Sequence, residues 1–334
     1  MSRIKKLLIA ILILILSIIL GTVIATKIWL SGKLSKINYE DVNQEEISKN
    51  KDLYNELEGL GANMSEEEFN SIKTIVLYGT DSRDLEDGYN NARSDSIIIA
   101  SINPNNKSIA LVSIPRDTYV SIDGHGKTKI NHAFAYGKEQ LSMKTINQNF
   151  GLSLSEYITI DFSGLVSVID KAGGVDIEIT EAEMEFINKS IDYTAKYSGG
   201  DATKLTTYGN VHLNGTQALT HCRNRYVGND FKRAERQRIV LEALFNKITD
   251  KSLTEINSLL DEFLPCIKTN INVSDYTKFI PSVLASKEEY RKNFISEQVP
   301  ALSYSGDQYI SGVYYFVGDL SKAKADMIKY LYGQ

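Results

Sequence analysis

Arginine is used sparingly in this chain, and its placement indicates where anion chemistry could occur. Lysine supplies most of the 37 basic residues, whereas eight of the ten arginines lie in three short stretches: residues 83–93, Arg116 and residues 223–238. The planar guanidinium group binds carboxylates and phosphates through two parallel hydrogen bonds, which the lysine ammonium group does not do. The pattern predicts a bound phosphate or carboxylate, although any single arginine could equally serve on the surface or in an internal ion pair.

Acidic side chains accompany these arginines at the ends of predicted strands. Asp81 and Arg83 directly follow the first strand, Arg93 and Asp95 lead into the second, and Arg116 ends the third. Ligands of open α/β sheets bind beyond strand ends, where loops from different strands converge. Mg²⁺ favours one or two carboxylates together with waters and substrate phosphates. Asp81 and Asp95 are therefore predicted to be neighbours at a metal site, with turn formation or helix capping as the alternative for each.

A further arginine site is predicted at the start of a helix over residues 230–248. The apolar residues on one face of this helix give way to Gln237 and then Arg233 towards the N-terminus. Helix N-termini attract phosphate through their free N–H groups, and a buried arginine without an anion is costly. The pattern favours a buried anion site, and an internal salt bridge to Asp117 or Asp230 is the alternative.

The elements that must position these residues are strands interleaved with helices. Short β-branched runs predict strands at residues 73–79, 95–102 and 108–114, and a hairpin turn at residues 103–106 joins the last two. Further along the chain, helix-like and strand-like segments alternate. Such an order predicts a sheet that is covered by helices on both faces.

The N-terminal segment predicts a membrane anchor. Residues 7–26 carry no charge and are mostly Leu and Ile, and a helix of this length spans the roughly 30 Å of a bilayer core. We predict a cytoplasmic tail at residues 1–6, a transmembrane helix at residues 7–28 and an extracellular stalk at residues 29–71. A cleaved signal peptide is the alternative, and both interpretations place the folded domain outside the cell.

Composition argues against some classes of function. The net charge of −5 opposes nucleic-acid binding, because counterion release from phosphate requires a clear cationic excess. The 43% hydrophobic content is that of a globular chain, which needs no disulfide or structural metal to fold at this length. Cys222 and Cys266 are predicted to be unpaired thiols, with a disulfide as the alternative in an oxidising compartment.

Eight short motifs, in this order, resemble those of the LytR-CpsA-Psr family over about residues 73–248. They are Gly79-Thr-Asp-Ser-Arg83, Arg93-Ser-Asp-Ser96, Ser113-Ile-Pro-Arg-Asp117, Gly126-Lys-Thr-Lys-Ile-Asn-His-Ala133, Gly173-Gly-Val-Asp176, Leu213-Asn-Gly-Thr-Gln-Ala-Leu219, Arg223-Asn-Arg225 and Asp230-Phe-Lys-Arg-Ala-Glu-Arg-Gln237. The number and order of the motifs make the resemblance specific. Lys232 departs from it, because the family usually has Gly at this position.

The resemblance implies a three-layer α-β-α sandwich with a mixed central sheet, preceded by one transmembrane helix. It implies a catalytic domain at residues 72–250, with a hydrophobic pocket for a polyprenyl chain and one Mg²⁺ beside a pyrophosphate. A C-terminal helical portion at residues 251–334 is left without a role. Carried over motif by motif, the catalytic residues are Asp81, Asp95, Arg116 and Arg233, and the two aspartates are also the metal ligands. The phosphate-binding residues are Arg83, Arg93, Arg116, Lys129, Arg223, Arg225, Arg233 and Gln237.

The function implied by the resemblance is an extracellular Mg²⁺-dependent phosphotransferase, anchored by a single span in a Gram-positive cell membrane. Its donor would be a polyprenyl-pyrophosphate-linked glycopolymer, such as teichoic acid or capsule, and its acceptor would be peptidoglycan. One alternative is a polyprenyl pyrophosphatase that uses water as the acceptor. Another is a non-catalytic regulator that binds the lipid or the wall polymer.

Overall fold

The structure, a computed structural model, describes most of the chain beyond its N-terminal segment. The described ranges are residues 38–47, 52–59, 64–80, 93–227, 230–272 and 279–333. The predicted tail and anchor lie outside these ranges, as do Asp81 and Arg83. Within them, no helix combines the length and the apolarity that are needed to cross a membrane.

Strands and helices alternate along much of the described chain. The strands are β1 (Asn38–Tyr39), β2 (Lys73–Thr80), β3 (Ser94–Asn103), β4 (Ser108–Ser113), β5 (Tyr119–Ile122), β6 (Gly126–Lys129), β7 (Tyr157–Asp161), β8 (Val175–Ile179), β9 (Gly209–Leu213), β10 (Ile267–Thr269), β11 (Phe294–Gln298), β12 (Ser305–Ile310) and β13 (Val313–Gly318). The helices are α1 (Leu53–Gly59), α2 (Glu66–Ser71), α3 (Asn131–Phe150), α4 (Phe162–Ala172), α5 (Glu181–Ser198), α6 (Gly215–Cys222), α7 (Asp230–Thr249), α8 (Leu253–Phe263), α9 (Phe279–Ala285), α10 (Lys287–Lys292) and α11 (Leu320–Tyr332).

The central sheet is mixed. Its described strands lie in the order β1-β10-β7-β2-β3-β4-β11. Strand β3 runs antiparallel to both β2 and β4, whereas β7 pairs with β2 and β11 pairs with β4 in parallel. The predicted hairpin at residues 103–106 joins β3 to β4, and the predicted mixed α/β class is confirmed. Strands β8 and β9, in contrast, form a separate two-stranded sheet.

One face of the central sheet is buried under helices α3 and α11. Alternate residues of a strand point to opposite faces, so Val76 and Tyr78 of β2 share this face. They pack in one core with Phe134 and Ile146 of α3 and Ile328 of α11, and each of the five is at most 1% exposed. Burying a side chain of this size contributes about 1.5–3 kcal/mol, so this layer supplies much of the favourable free energy of folding.

Helices α4, α6, α7 and α8 lie on the other face. Leu77 of β2 and Ile98 of β3, which are register partners, point to this side. Helix α4 begins where the Asp161 side chain accepts a 2.7 Å hydrogen bond from the Gly164 N–H group, and it ends where Gly173 adopts a φ of 89°. Helices therefore cover both faces of the sheet, as the sequence predicts.

The segment predicted as a stalk, residues 29–71, belongs in part to the folded domain. Val42, Ile47, Leu53 and Leu57 are buried in the main core, and β1 pairs in parallel with β10 at one edge of the central sheet. Burial of these apolar side chains holds the segment against the domain. They are scattered among glutamates, which makes the segment resemble solvated chain, and only the spacing of Leu53 and Leu57 indicates a helix face.

The structure also differs at the predicted boundary after residue 250. The portion at residues 251–334 is not only helical, since it supplies β10 and β11 to the central sheet. Its last helix, α11, lies in the main core. The physical reason is edge pairing: β11 is a short, half-polar strand whose backbone completes the sheet beside β4. Such a strand carries a weak hydrophobic signal in the sequence.

Candidate active site

A large apolar cavity opens between the central sheet and helices α4, α7 and α8. Its volume is about 340 Å³. Large apolar side chains of β2, β3 and these helices line it, among them Leu77, Ile98, Leu165, Val240, Leu244 and Phe263. Apolar walls offer water few hydrogen-bond partners, so this apolar cavity is suited to an apolar ligand.

A small polar cavity of about 30 Å³ adjoins the apolar one. It is lined by charged and aromatic residues that include Asp95, Arg116, Asp117, Asp230, Arg233 and Tyr314. Four residues line both cavities and form a shared wall: Asp95, Ser96, Arg233 and Gln237. A molecule that fills the apolar cavity and carries a charged end could therefore place that end at the shared wall.

Gly79 lies beside the shared wall, at a close approach of strands β2 and β3. It is the register partner of Ser96, and both residues line the apolar cavity. A Cβ atom at residue 79 would lie 3.1 Å from the Cβ atom of Ser96, which is tighter than ordinary packing. A side chain here would require Ser96 to shift by a few tenths of an ångström, so the close approach, rather than the backbone angles, favours glycine.

Asp95 is the centre of the polar cavity and is surrounded by three arginines, Arg116 and two from the stretch at residues 223–238. Its carboxylate lies 2.8 Å from Nη1 of Arg116, 3.5 Å from Nη2 of Arg233 and 3.7 Å from Nη2 of Arg225. Arg233 also donates a 3.2 Å hydrogen bond to the Asp95 carbonyl oxygen. We call Arg116, Arg225 and Arg233 the arginine cluster. The structure thus brings together four of the residues that the sequence predicts for the site.

The electrostatics keep these groups charged. Burial alone would raise the pKa of Asp95, but the positive charges of Arg233 and Arg116 outweigh it and hold the pKa below its usual value. Burial lowers the pKa of Arg233 to about 10, against the opposing effect of Asp95. At neutral pH the carboxylate is therefore ionised and the guanidinium group remains protonated.

Some hydrogen-bonding capacity of the polar cavity is unused. Among the described residues, neither the buried Nε of Arg233 nor the buried Oδ1 of Asp230 has a hydrogen-bond partner. Asp230 is engaged at longer range by the whole arginine cluster: its carboxylate lies 3.7 Å from Nε of Arg225, 3.9 Å from Nη2 of Arg116 and 4.0 Å from Nη1 of Arg233. Buried polar groups are nearly always paired, so unused donors and acceptors here are suited to a ligand. Arg233 can therefore form the predicted ion pair with Asp230 and still donate a hydrogen bond from Nε to a bound anion.

Asp117 and Lys129 form a tight ion pair at the border of the polar cavity. The Lys129 Nζ atom lies 2.6 Å from Oδ1 of Asp117, and Oδ2 of Asp117 lies 3.4 Å from Nε of Arg116. The same ammonium group lies 5.5 Å and 5.9 Å from the ring centroids of Tyr314 and Tyr315. The charge of Lys129 is thus largely balanced by a protein carboxylate.

Two predicted phosphate ligands lie away from the arginine cluster. The Arg223 guanidinium group lies over the rings of Phe162 and Tyr193, at 4.6 Å and 5.6 Å from their centroids, and it borders the apolar cavity. Arg93 is exposed immediately before β3. With burial as the larger cause, Arg93 helps to lower the pKa of His132.

Helix α7 divides its arginines between two roles. Arg233 and Gln237 reach the shared wall, and the apolar residues of the same helix face follow them into the apolar cavity. Arg236 is buried instead against Glu183, 2.6 Å away, and donates a 3.1 Å hydrogen bond to the Asn224 carbonyl oxygen. Arg238 donates to the hydroxyl groups of Ser113 and Ser296. Side-chain direction on the helix, which spacing alone does not settle, separates the site residues from the structural ones.

Histidine and cysteine take no part in the polar cavity. His221 is buried, and that burial lowers its pKa to about 4 although Glu183 opposes the shift. His132 makes a 3.0 Å contact through Nδ1 with the hydroxyl group of Thr128, a local bond. Cys222 and Cys266 are free thiols, as predicted, and burial raises the pKa of Cys222 to about 12.

The C-terminal portion contributes residues that the sequence did not single out. Tyr314 and Phe316 of β13 line the polar cavity. The Phe316 N–H group donates a 2.9 Å hydrogen bond to the Asp117 carbonyl oxygen, and its ring lies 4.8 Å from that of Phe231. These residues are about 200 positions from Asp117 in the chain and belong to no recognised motif. A contact of this sequence separation leaves no local pattern.

The donor set partly fits a divalent cation. Among the described residues, no group of three or more His, Cys, Asp or Glu side chains is arranged as a metal cage. Mg²⁺, however, is usually held by only one or two carboxylates together with substrate phosphates. Asp95 offers an ionised carboxylate, and the Oδ1 atom of Asp230, which accepts no hydrogen bond from the described residues, is a second acceptor in the same cavity. Asp81, the other predicted ligand, lies outside the described residues.

Comparison with known proteins gives one consistent result. The LytR_cpsA_psr family model matches residues 30–330. The polyisoprenyl-teichoic acid–peptidoglycan teichoic acid transferase TagU of Bacillus cereus is 34% identical over 257 residues, which are 75% of this chain and 75% of that protein.

Solved structures show the same fold. TagT bound to LI-WTA superposes with a TM-score of 0.62 at 25% identity, covering 81% of this chain and 94% of that one. The YwtF (TagT) protein with bound octaprenyl pyrophosphate lipid gives a TM-score of 0.58 at 24% identity, with coverages of 81% and 94%.

Proposed function

This chain belongs to the LytR-CpsA-Psr family, and we propose that it is a phosphotransferase that attaches a lipid-linked glycopolymer to peptidoglycan. The donor is a glycopolymer carried on a polyprenyl pyrophosphate, of the teichoic acid or capsule type. The similarity to a polyisoprenyl-teichoic acid–peptidoglycan teichoic acid transferase supports both substrate classes.

The shared wall is the observation that carries this proposal. An apolar cavity of about 340 Å³ and a polar cavity rich in arginine meet at Asp95, Arg233 and Gln237. A polyprenyl pyrophosphate has the same division, since its isoprenoid tail is apolar and its diphosphate carries several negative charges. The tail would occupy the apolar cavity, and the diphosphate would lie at the shared wall.

The arginine cluster would bind and orient the diphosphate. Arginine forms bidentate hydrogen bonds with phosphate oxygens, and these bonds strengthen as charge develops during phosphoryl transfer. Arg233 is suited to this because its position is fixed by burial and by its bond to the Asp95 carbonyl oxygen. Its Nε atom has no hydrogen-bond partner among the described residues, so that donor is available to a phosphate oxygen.

We further propose that the enzyme uses Mg²⁺, held by Asp95 and Asp81, with Asp230 within reach of the same cavity. When bound, the cation would supply neutralisation of charge on the diphosphate. Asp95 would meanwhile hold Arg116 and Arg233 in place through its ion pairs. Arg116 and Arg233, positioned by these pairs, would bind the phosphate oxygens with their remaining N–H groups.

The reaction is a displacement at the phosphorus nearer the glycopolymer. The oxygen of a peptidoglycan hydroxyl group bonds to this phosphorus, and the bond from the phosphorus to the bridging oxygen breaks. Polyprenyl phosphate leaves with the bridging oxygen and its electron pair, and the hydroxyl proton passes to water. The phosphate thus becomes a diester between the polymer and the wall.

We place the reaction outside the cell, in a Gram-positive envelope. Residues 7–28 would form a single-pass anchor, which accords with a donor that is itself confined to the bilayer. Anchoring both partners in one membrane raises their effective concentration.

Incubation of the full-length chain with a short glycan on polyprenyl pyrophosphate, with and without Mg²⁺, tests the proposal. A covalent glycan–phosphate–peptidoglycan product, formed only when a peptidoglycan oligosaccharide is added, is the expected result. Phosphate release without an acceptor would identify a pyrophosphatase instead. Lipid binding without any turnover would identify a regulator.

Asp95→Ala should abolish the Mg²⁺-dependent product. Asp176→Ala is the matched control, because Asp176 is exposed and pairs with His212 and Lys247 away from both cavities. Full activity in Asp95→Ala would contradict the metal assignment.

A further inference from the structure

The hairpin formed by β12 and β13, residues 305–318, presents an aromatic face that leads out of the polar cavity. In its antiparallel register, Tyr309 is opposite Tyr314 and Asp307 is opposite Phe316. Directly opposite residues share a face, as do alternate residues of one strand. Asp307, Tyr309, Tyr314 and Phe316 therefore form one continuous face, which we call the aromatic face.

This face runs from the interior to the solvent. Phe316 is 1% exposed and Tyr314 is half-buried, and both line the polar cavity. Tyr309, the next ring along the face, is 75% exposed and lies 5.8 Å from the Tyr314 ring. The tyrosine rings thus form a path from the arginine cluster to the surface.

The hairpin is fixed to the catalytic segment rather than free. The Phe316 N–H group bonds to the Asp117 carbonyl oxygen at 2.9 Å, and Phe316 pairs with Thr118 in a parallel bridge. The Tyr315 ring, on the other face, packs 4.7 Å from the ring of Tyr119. At the tip, Ser311 and Gly312 have φ values of 51° and 79°, as a two-residue hairpin turn requires. The aromatic face is therefore held in a constant position relative to Arg116 and Asp117.

The chemistry of the face fits a sugar ring. The axial C–H groups of a pyranose pack against an aromatic ring, while nearby carboxylate and phenol groups bond to its hydroxyl groups. Asp307 is exposed and accepts a 2.9 Å hydrogen bond from the Tyr314 hydroxyl group, so a carboxylate lies beside two rings. Tyrosine combines an apolar ring with a polar tip in the same way at many partly hydrated binding surfaces.

The direction of the reaction indicates which sugar would bind here. In a displacement at phosphorus, the attacking and leaving oxygens lie roughly in line. Under the proposed function, the leaving polyprenyl phosphate extends into the apolar cavity, whose lining does not include Tyr314 or Phe316. These two residues line only the polar cavity, beyond the shared wall. The attacking hydroxyl group should therefore enter from the side of the hairpin.

We propose that the aromatic face of the 305–318 hairpin is the binding site for the acceptor glycan, with Tyr309 as its outer stacking platform. This inference rests on the proposed function. It adds the surface that would deliver the attacking hydroxyl group to the donor phosphate. Tyr309 positions the acceptor and is not a catalytic residue.

Tyr309→Ala in the full-length chain tests the inference by two measurements, with a peptidoglycan-derived tetrasaccharide as the probe. In the transfer reaction, KM for the tetrasaccharide should rise about five- to tenfold, whereas KM for the lipid donor stays unchanged. In calorimetric titration without donor, the Kd of the tetrasaccharide should rise by the same factor. Tyr309→Phe should restore both values, because it keeps the ring.

Tyr208→Ala is the matched control, since Tyr208 is a similarly exposed tyrosine that lines neither cavity. An unchanged Kd in Tyr309→Ala, or a raised KM for the lipid donor in place of the acceptor, would overturn the inference. Failure of the proposed function is a separate result: wild-type protein would then bind the tetrasaccharide through Tyr309 without forming any transfer product.

Discussion

The two faces of the central sheet use the same strands in different ways. On one face, Tyr78 packs 5.2 Å from the Phe134 ring, and both side chains are almost completely buried. On the other face, the preceding residue, Leu77, borders a cavity of about 340 Å³. Two neighbouring residues of one strand therefore point to different surroundings: Tyr78 lies in a filled core and Leu77 lies at an open cavity. The packed face can therefore carry the stability that the open face gives up to hold a ligand.

The largest expected effect is on the packed face. Phe134→Ala should lower the free energy of unfolding by about 3–5 kcal/mol, because it leaves a void that the surrounding core fills poorly. Leu244→Ala on the open face should cost roughly half as much or less, since this side chain already lacks neighbours on its cavity side. Urea denaturation followed by circular dichroism measures both. Equal losses would mean that the two faces do not differ in this way.

The next effect concerns activity rather than stability. Arg233→Ala should lower kcat for transfer by about 10²-fold or more, the scale for removing one donor that stabilises a transition state. Arg291→Ala is the control, because Arg291 pairs with Glu288 and Asp250 outside both cavities. A matching loss in the control would point to a general effect of removing positive charge.

Filling the open face should act on the donor alone. Leu244→Trp places a larger ring in the apolar cavity and should raise KM for a long-chain polyprenyl donor by about tenfold. A donor with a single isoprene unit should be affected much less, because it does not reach that depth. An equal rise for both donors would show that the cavity does not hold the tail.

The smallest effect is a pH dependence within the helices that cover the open face. Burial lowers the pKa of His221 to about 4, from an ordinary value of 6.5, despite the opposing charge of Glu183. The unfolded chain takes up this proton at a higher pH than the folded chain does. The contribution of neutral His221 to the free energy of unfolding is therefore complete above pH 6.5 and decreases as the pH falls towards 4.

Thermal unfolding measured between pH 7 and pH 4 tests this dependence. His221→Gln should flatten the decrease, whereas the control His125→Gln, at an exposed position, should leave it unchanged. A steeper decrease in His221→Gln than in the wild type would contradict the assignment.

Much of the fold could be predicted from local sequence, because its central strands and helices carry strong periodic signals. The hairpin of β3 and β4 and the amphipathic face of α7 are examples, and the latter led from apolar residues to Gln237 and Arg233. The same helix also shows the limit. Spacing points to Arg233, but it does not identify the carboxylate that each arginine meets: Arg233 lies beside Asp95, whereas Arg236 pairs with Glu183.

The remainder of the site depends on contacts that are distant in sequence. Tyr314 and Phe316 reach the polar cavity only because β13 is joined to residues 117–118 by backbone bonds. Neither residue lies in a recognised motif, and no pattern in the neighbouring sequence indicates that they contact residues 117–118. Likewise, Val42 and Ile47 are buried, but the acidic residues around them are typical of a solvated chain, so the sequence predicts a stalk there.

The position of β1 at the edge of the central sheet limits how far the folded domain can lie from the proposed membrane anchor. The proposed transmembrane helix ends at residue 28, so nine residues, 29–37, would separate it from Asn38, the first residue of β1. Even fully extended, nine residues reach only about 30 Å. The enzyme would thus work close to the lipid headgroups, and glycan strands deeper in the wall would lie beyond its radius. The enzyme would therefore modify newly made wall next to the membrane.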